Sequence, residues 1–389
     1  MVKKPLCFKG NSMQLLIGRN SLLKLVSIAQ SVVPKKSTKP ILTHLMLEAN
    51  AKGLTISATD EELSFSGTTE AQIEIDGQTT VSAKDLYDVV RNFPAQPIEL
   101  IYHADQGQLE IKSDRIEFRL HTLPSEEFPK WPELNPETSY QFPVDSLLEV
   151  VDRTIFAVSY EETRYYLGGV YFECEEGENL RAVATDGHRL ALAESVPPEN
   201  FTLNPGQILP RKLLNELRKT LDPKQGEAYI GFQDKRVLFQ HGNHTLVSML
   251  VEGSFPDYRQ VVPKSPNIQC RVGRTELLDA LRRISLLSPD KTGGVRFQVT
   301  PSLLRISSQH SGRGEASQEV EIREGGGEVE VGFNANYFVD ALQVIETSDV
   351  LLEFTNHLSP CLLRPYYEVE EEDEKAKLPH LNVIMPMRL

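Results

Sequence analysis

The sequence predicts an α+β fold in which one unit, two helices packed on antiparallel sheets, is repeated three times. Three observations carry that prediction. Stretches with an apolar period of 3.6 recur 125 and 130 residues apart, a second set recurs 127 and 125 apart, and strand and Phe-Pro signatures fall 126 and 127 apart.

The first set opens at Asn20, Asp145 and Thr275 and runs to Val33, Val158 and Leu287, with Leu22, Leu147 and Leu277 as matching positions. Asn20, Asp145 and Thr275 are capping-type residues, so each helix is expected to start there. The second set is Ser82 to Asn92, Arg211 to Thr220 and Asn334 to Ile345, aligned on Leu86, Leu213 and Phe338. Strands alternate between them. Leu54-Thr55-Ile56-Ser57-Ala58-Thr59-Asp60 resembles Leu180-Arg181-Ala182-Val183-Ala184-Thr185-Asp186, with Leu303 to Ser308 as a looser third copy. Gln72–Ile75, Glu99–Tyr102, Leu109–Ile111 and Arg115–Leu120 are further short strands, with Asp76-Gly77 and Gln106-Gly107 as hairpin-like turns. Phe128-Pro129 and Phe255-Pro256 close their units, and Pro-rich joins follow. The expected organisation is an N-terminal extension (1–12) and three units, 13–133, 140–262 and 266–389.

Composition narrows the function classes. The 389 residues carry 41 Lys+Arg against 55 Asp+Glu, a net charge of −14. That argues against gripping nucleic acid by bulk charge, but leaves a local basic surface open. No apolar run approaches the ~18–20 residues of a membrane span, and the basic N-terminus lacks a signal-peptide core. A soluble cytoplasmic protein is expected. Cys7, Cys174, Cys270 and Cys361 have no paired spacing, so neither a disulfide scaffold nor a cysteine zinc site is expected.

Charge is segregated. Arg19, Lys24, Lys35 and Lys36 have no acid among them between Gln14 and Lys36. Arg211, Lys212, Arg218 and Lys219 stand against Glu216, and Arg271, Arg274, Arg282 and Arg283 against Glu276 and Asp279. Segments 144–159, with Arg153, and 334–346 are each −2, while Glu368 to Glu374 is strongly acidic. One reading is a set of solvated helix faces with pairs such as Asp279 with Arg282 and Arg283. The other is that helices equivalent by repeat face a common polyanion, touching phosphates without reading sequence.

No catalytic constellation emerges. Asp186 and His188 sit two apart, but Gly187 between them suggests a turn. His241 and His244 lack further ligands and are expected on opposite strand faces, so no metal site is read there. Gly325-Gly326-Gly327 lacks the Lys-Ser/Thr of a phosphate loop and reads as a turn. No cofactor is expected.

Arg164-Tyr165-Tyr166-Leu167, Ala184 to Ala191, Phe255-Pro256-Asp257-Tyr258-Arg259 and Met385-Pro386-Met387-Arg388-Leu389 resemble the bacterial sliding-clamp family, the beta subunits of the replicative DNA polymerase. The resemblance runs from Met13 to the end. It implies a three-domain protomer closing head to tail into a homodimeric ring around duplex DNA, without catalysis. Arg19, Lys24, Lys35, Lys36, Arg153, Tyr166, Arg211, Lys212, Arg218, Lys219, Arg282 and Arg283 would face the DNA. Lys36 stands where the family can present Arg, which keeps the charge and loses the bidentate geometry.

The resemblance also implies an apolar pocket for partner peptides. It would be lined by Leu167, Thr185, Gly187, His188, Arg189, Leu190, Pro256, Val261, Val383, Ile384, Met385, Pro386 and Met387, with adaptable methionines suited to several linear motifs. Gln260 replaces a residue that is often basic in the family. Implied partners are a second copy of the chain, sequence-non-specific double-stranded DNA, the DNA polymerase III alpha subunit and other polymerases, the clamp loader, and mismatch-repair and ligase-type proteins. For ring closure, an edge strand near Gln108, Leu109 and Lys112 would pair across the seam, with Leu286 and Leu287 as apolar contacts or as ordinary core. Two rivals remain at this point: a hydrolase using Asp186 and His188, and a specialised clamp-like paralogue.

Overall fold

The computed structural model describes residues 12–132, 139–222, 224, 226–288, 293–368 and 378–388. Cys7, the expected extension up to residue 11, most of the acidic stretch (369–374) and Leu389 lie outside them. Every paired strand among the described residues is antiparallel. Six α-helices are present among them: α1 (Arg19–Val32), α2 (Ala83–Asn92), α3 (Val144–Asp152), α4 (Arg211–Thr220), α5 (Arg274–Ile284) and α6 (Ala335–Val344). The chain forms two compact units, Met1–Val144 with Lys212–Leu250, and Asp145–Arg211 with Val251–Leu389.

The first unit holds two sheets. The five-stranded sheet runs Gln72–Ile75, Met13–Gly18, Pro97–His103, Gln108–Ser113, Ile116–His121. The eight-stranded sheet runs Ser139–Pro143, Glu227–Gln233, Arg236–His241, His244–Met249, Leu63–Thr69, Gly53–Thr59, His44–Asn50, Gly77–Ser82. Leu22, Leu25, Val26 and Ala29 of α1 are buried, the i, i+3, i+4, i+7 stripe that the period predicts. The second unit is built on one twelve-stranded sheet, in the order Leu203–Pro210, Gly169–Cys174, Leu180–Thr185, Arg189–Ser195, His380–Ile384, Cys361–Tyr366, Asp349–Phe354, Ile268–Gly273, Gly314–Gly325, Leu303–His310, Gly294–Val299, Val329–Asn334. Its core includes Phe297, Phe333 and Phe338, fully buried with ring centroids 4.9–5.3 Å apart. Truncating Phe338 to Ala would cost about 3–5 kcal/mol.

Four expectations need correction. Asn20 and Thr275 do not cap their helices. α1 and α5 begin one residue earlier, after Gly18 and Gly273, which are extended and make no side-chain cap. A strand feeds each helix directly, so no capping loop intervenes; Asp145 likewise lies inside α3. Ser82 and Asn334 do cap α2 and α6, accepting the N–H of Asp85 (3.3 Å) and Asn336 (3.0 Å). Second, α3 stops at Asp152, not Val158: Thr154 Oγ1 bonds back to the Val150 carbonyl (2.7 Å), and a 3₁₀ turn follows at Ile155–Ala157. Third, Gln106-Gly107 closes a hairpin but Asp76-Gly77 does not. It carries the chain from the five-stranded sheet to the eight-stranded one, and a Cβ at Gly77 would lie 2.5 Å from the Ser12 carbonyl oxygen. Fourth, His241 and His244 are register partners across a two-residue hairpin, with Gly242 at φ +54°. Direct cross-strand partners share a face. Among the described residues no group of three potential ligands could hold a metal.

Candidate docking site

The site grows from a hairpin in the second unit. Strand Leu180–Thr185 turns at Asp186-Gly187-His188 into Arg189–Ser195. Asp186 Oδ1 accepts the N–H of His188 (2.9 Å) and Arg189 (3.0 Å), and Thr185 Oγ1 accepts that of Gly187 (3.1 Å). Gly187 has φ +88°, and a Cβ there would meet Arg164 Nη1 at 2.5 Å, so position and neighbour both demand glycine. Asp186 is thus spent on holding the turn. The His188 ring lies parallel to that of Tyr337, centroids 6.4 Å apart. Neither is arranged as an acid–base pair, which removes the hydrolase reading.

Arg189 anchors the hairpin. Its guanidinium donates to Asp186 Oδ2 (3.1 Å), Asp340 Oδ2 (2.6 Å) and the Phe156 carbonyl (2.6 Å), and stacks over Tyr337 at 4.8 Å. With all these partners its charge is consumed locally, and its stem is free to line apolar space.

Beside it opens a cavity of about 200 Å³, lined by Leu167, Thr185, Gly187, Arg189, Leu190, Pro256, Asp257, Tyr258, Val261, Val383 and Met385. Its floor is apolar core: Val183, Leu190, Leu192, Tyr258, Leu362 and Val383 form one cluster. One wall is the segment around Tyr258–Gln260, a 3₁₀ turn that the Asp257 side chain caps by accepting the Arg259 N–H (3.3 Å). Gln260 donates to Asp257 Oδ2 (2.9 Å).

The structure therefore brings together nine of the residues named from sequence. Ile384 is not among the lining residues. Strand alternation puts Val383 on the cavity side and Ile384, 1% exposed, in the opposite core with Cys361 and Leu363. His188 stands outside against Tyr337, although its carbonyl accepts the Met385 N–H (2.9 Å). Pro386 and Met387 do not line the cavity either, and the Met387 N–H is bonded to Gly332 O at 2.8 Å. Asp257 and Tyr258 were missed, although they sit between Pro256 and Val261 in a quoted motif.

Of the residues expected to face DNA, Lys24, Lys35, Lys36, Arg218, Lys219, Arg282 and Arg283 are exposed. Several are also bonded within the protein. Arg19 donates to the Val90 (3.2 Å) and Arg91 (2.6 Å) carbonyls at the C-terminus of α2. Lys212 binds the Val32 carbonyl (2.7 Å) and Asp60, Lys219 binds Glu216 (2.7 Å), and Arg153 pairs with Glu149. Arg211 covers the Tyr160 ring at 3.6 Å, Arg283 donates to Gln318 (2.8 Å), and Tyr166 is half-buried edge-on to Tyr165.

The seam expectation needs a correction. Gln108–Ser113 is an interior strand, paired on both sides; the sheet ends beside it at the edge strand Ile116–His121, with Gln72–Ile75 at the other end. That edge exposes Ile116 and Phe118, while Leu109 is fully buried. Leu286 is 69% exposed, so it is not core, and Leu287 is half-buried.

The repeated two-helix-and-sheet modules and the apolar recess define a docking protein of the clamp type. Three family models match in order: the N-terminal domain of the DNA polymerase III beta subunit over residues 13–132, its central domain over 141–257 and its C-terminal domain over 259–388. The beta sliding clamps of Caulobacter vibrioides and Escherichia coli K12 are 35% and 32% identical, each match covering 97% of this chain and 100% of the relative. Among solved structures, the Caulobacter crescentus beta sliding clamp with polyethylene glycol bound superposes with a TM-score of 0.89 at 34% identity. A Pseudomonas aeruginosa clamp bound to griselimycin gives 0.87 at 32%. Both comparisons cover 97% of this chain and 100% of the other. The chain belongs to the DNA polymerase III beta subunit family, with its three clamp domains. The family's role is that of a replication processivity factor, not an enzyme.

Proposed function

We propose that two copies of this chain close head to tail into a ring around duplex DNA, and that the recess beside Tyr258 holds linear peptides of the proteins the ring tethers. The observation that carries this is the cavity itself, assembled from four separated stretches around an apolar floor. It suits an apolar anchor side chain presented in an extended segment. The partners are polymerases, first the DNA polymerase III alpha subunit, a clamp loader that opens the ring, and mismatch-repair and ligase-type proteins. The clamp domains span 13–133, 140–262 and 266–389, with 1–12 as an extension. The location is the cytoplasm, at the nucleoid; no helix among the described residues is long and apolar enough to cross a membrane.

A ring held by topology needs no tight phosphate grip, which is consistent with a net charge of −14 beside locally exposed lysines and arginines. The free strand Ile116–His121, with Phe118, supplies the first-domain side of the seam, and Leu286 and Leu287 the third-domain side. The decisive experiment loads the protein on nicked circular DNA and then linearises the circle. Retention before cutting and loss after it is the expected result. Equal loss from both forms overturns topological tethering.

A further inference from the structure

Behind the cavity wall lies a carboxylate that none of the site residues above includes. Glu173, on strand Gly169–Cys174, is 9% exposed and does not line the cavity. Its Oε1 receives three donors: the Tyr258 hydroxyl at 2.5 Å, Arg259 Nη2 at 2.6 Å and Arg181 Nη1 at 3.1 Å. Arg181 is held a second time by Glu194 (2.7 Å). Burial, with the neighbouring Glu173 carboxylate, pushes the Tyr258 phenol above its ordinary range, so it stays a donor.

We propose that Glu173 is a positioning residue that sets the specificity of the recess: by accepting the Tyr258 hydroxyl it draws that group out of the cavity, so the ring alone faces the incoming anchor. This rests on the docking reading above. The argument is an accounting of donors. Without Glu173, Arg181 keeps Glu194, and Arg259, 54% exposed at its side chain, turns to water. Tyr258 is 4% exposed, and its other neighbour, Arg181 Nη1 at 3.3 Å, is also a donor. Among the described residues Glu173 is the acceptor bonded to its hydroxyl proton, and a buried donor that loses its acceptor is costly. The space open to it is the cavity that its own ring lines. A recess with a free hydroxyl would accept a polar anchor and penalise an apolar one.

The test uses the full-length protein and two fluorescein-labelled nonapeptides, identical except that a central Leu-Leu in one is Gln-Gln in the other. Binding is read by anisotropy, with melting temperature and solution mass as controls. The native protein should prefer Leu-Leu by about 100-fold, and Glu173→Ala should cut that preference about tenfold. Glu173→Gln, which keeps an acceptor, should stay within about threefold of native. Tyr258→Phe combined with Glu173→Ala should restore the preference, because no hydroxyl remains to be misplaced. A purely structural brace would not be rescued in this way. An unchanged preference in Glu173→Ala, or no rescue by Tyr258→Phe, overturns the inference while the docking reading stands. Absence of Leu-Leu binding by the native protein overturns both. Glu173→Val serves in the same comparison if the alanine variant does not fold.

Discussion

Glu173 in the second unit and Glu110 in the first are both buried carboxylates with three cationic or hydroxyl partners, yet they produce opposite surfaces. Glu173 collects Tyr258, Arg259 and Arg181, and what it leaves at the cavity is an aromatic ring. Glu110, with a side chain 3% exposed, collects Lys112 (2.9 Å), His103 (3.1 Å) and Arg119 (3.0 Å) on the outer face of the five-stranded sheet. Its partners stand out in water next to the free strand Ile116–His121. Both strands lie one in from a sheet edge, so the difference is what lies over them. The turn Tyr258–Gln260 brings Arg259 and the buried Tyr258 onto Glu173 from outside its sheet, while Arg181 reaches it from the neighbouring strand. The three partners of Glu110 come from its own strand and the two beside it, and they stay wet. A charged ladder beside a bare edge discourages indiscriminate pairing and leaves it to a complementary partner.

Acid should separate the two regions most strongly. Burial, with a smaller contribution from Arg153, lowers His380 in the strand His380–Ile384 to about 3 from an ordinary 6.5. Between those values the unfolded chain takes up a proton that the folded chain refuses, so stability falls as pH falls, by up to about 1.4 kcal/mol per pH unit. Glu110 acts in the same direction but in a lower pH window. Lys112 first and His103 next hold it at about 2 against an ordinary 4.5, so its contribution is intact above 4.5 and is lost as pH falls through 2. Native-state hydrogen exchange at pH 5 should therefore accelerate in 380–384 before 108–121. The reverse order would break the comparison.

A carboxylate placed on the cavity wall is the next largest effect. Val261→Asp, at a position already 36% exposed, should weaken the Leu-Leu peptide about 30-fold with little change in melting temperature. At the edge, Phe118→Glu should raise the dimer dissociation constant about tenfold, read by sedimentation as a shift from twice 43.8 kDa toward 43.8 kDa. The smallest effect is Arg119→Ala. Its side chain is 54% exposed, so the melting temperature should barely move. A larger loss would mean that the ladder is as closed as the Glu173 cluster.

Much of the fold was legible because helix periodicity is local. Leu22, Leu25, Val26 and Ala29 announce the buried stripe of α1, whereas the caps expected at Asn20, Asp145 and Thr275 fall instead to Ser82 and Asn334, which open the second set of stretches. Gly187 was readable as a turn for the same reason. The cavity was legible only through resemblance, since Leu167, Leu190 and Val383 look like ordinary core one at a time. Tyr258 stayed hidden because a buried tyrosine gives no sign of which partner takes its hydroxyl.

By itself, the sequence determined the helices and the residue types available for an apolar recess, because a helix period is set within a few turns of chain, and the threefold repeat, because the same local pattern returns 125 to 130 residues on. Only the tertiary structure decided that Ile116–His121 and not Gln108–Ser113 is the edge, that Asp76-Gly77 crosses between sheets, and that Val383 and Ile384 face opposite cores. Strand partners and sheet faces are settled by pairing between distant segments, and a one-residue change of register reverses every side chain.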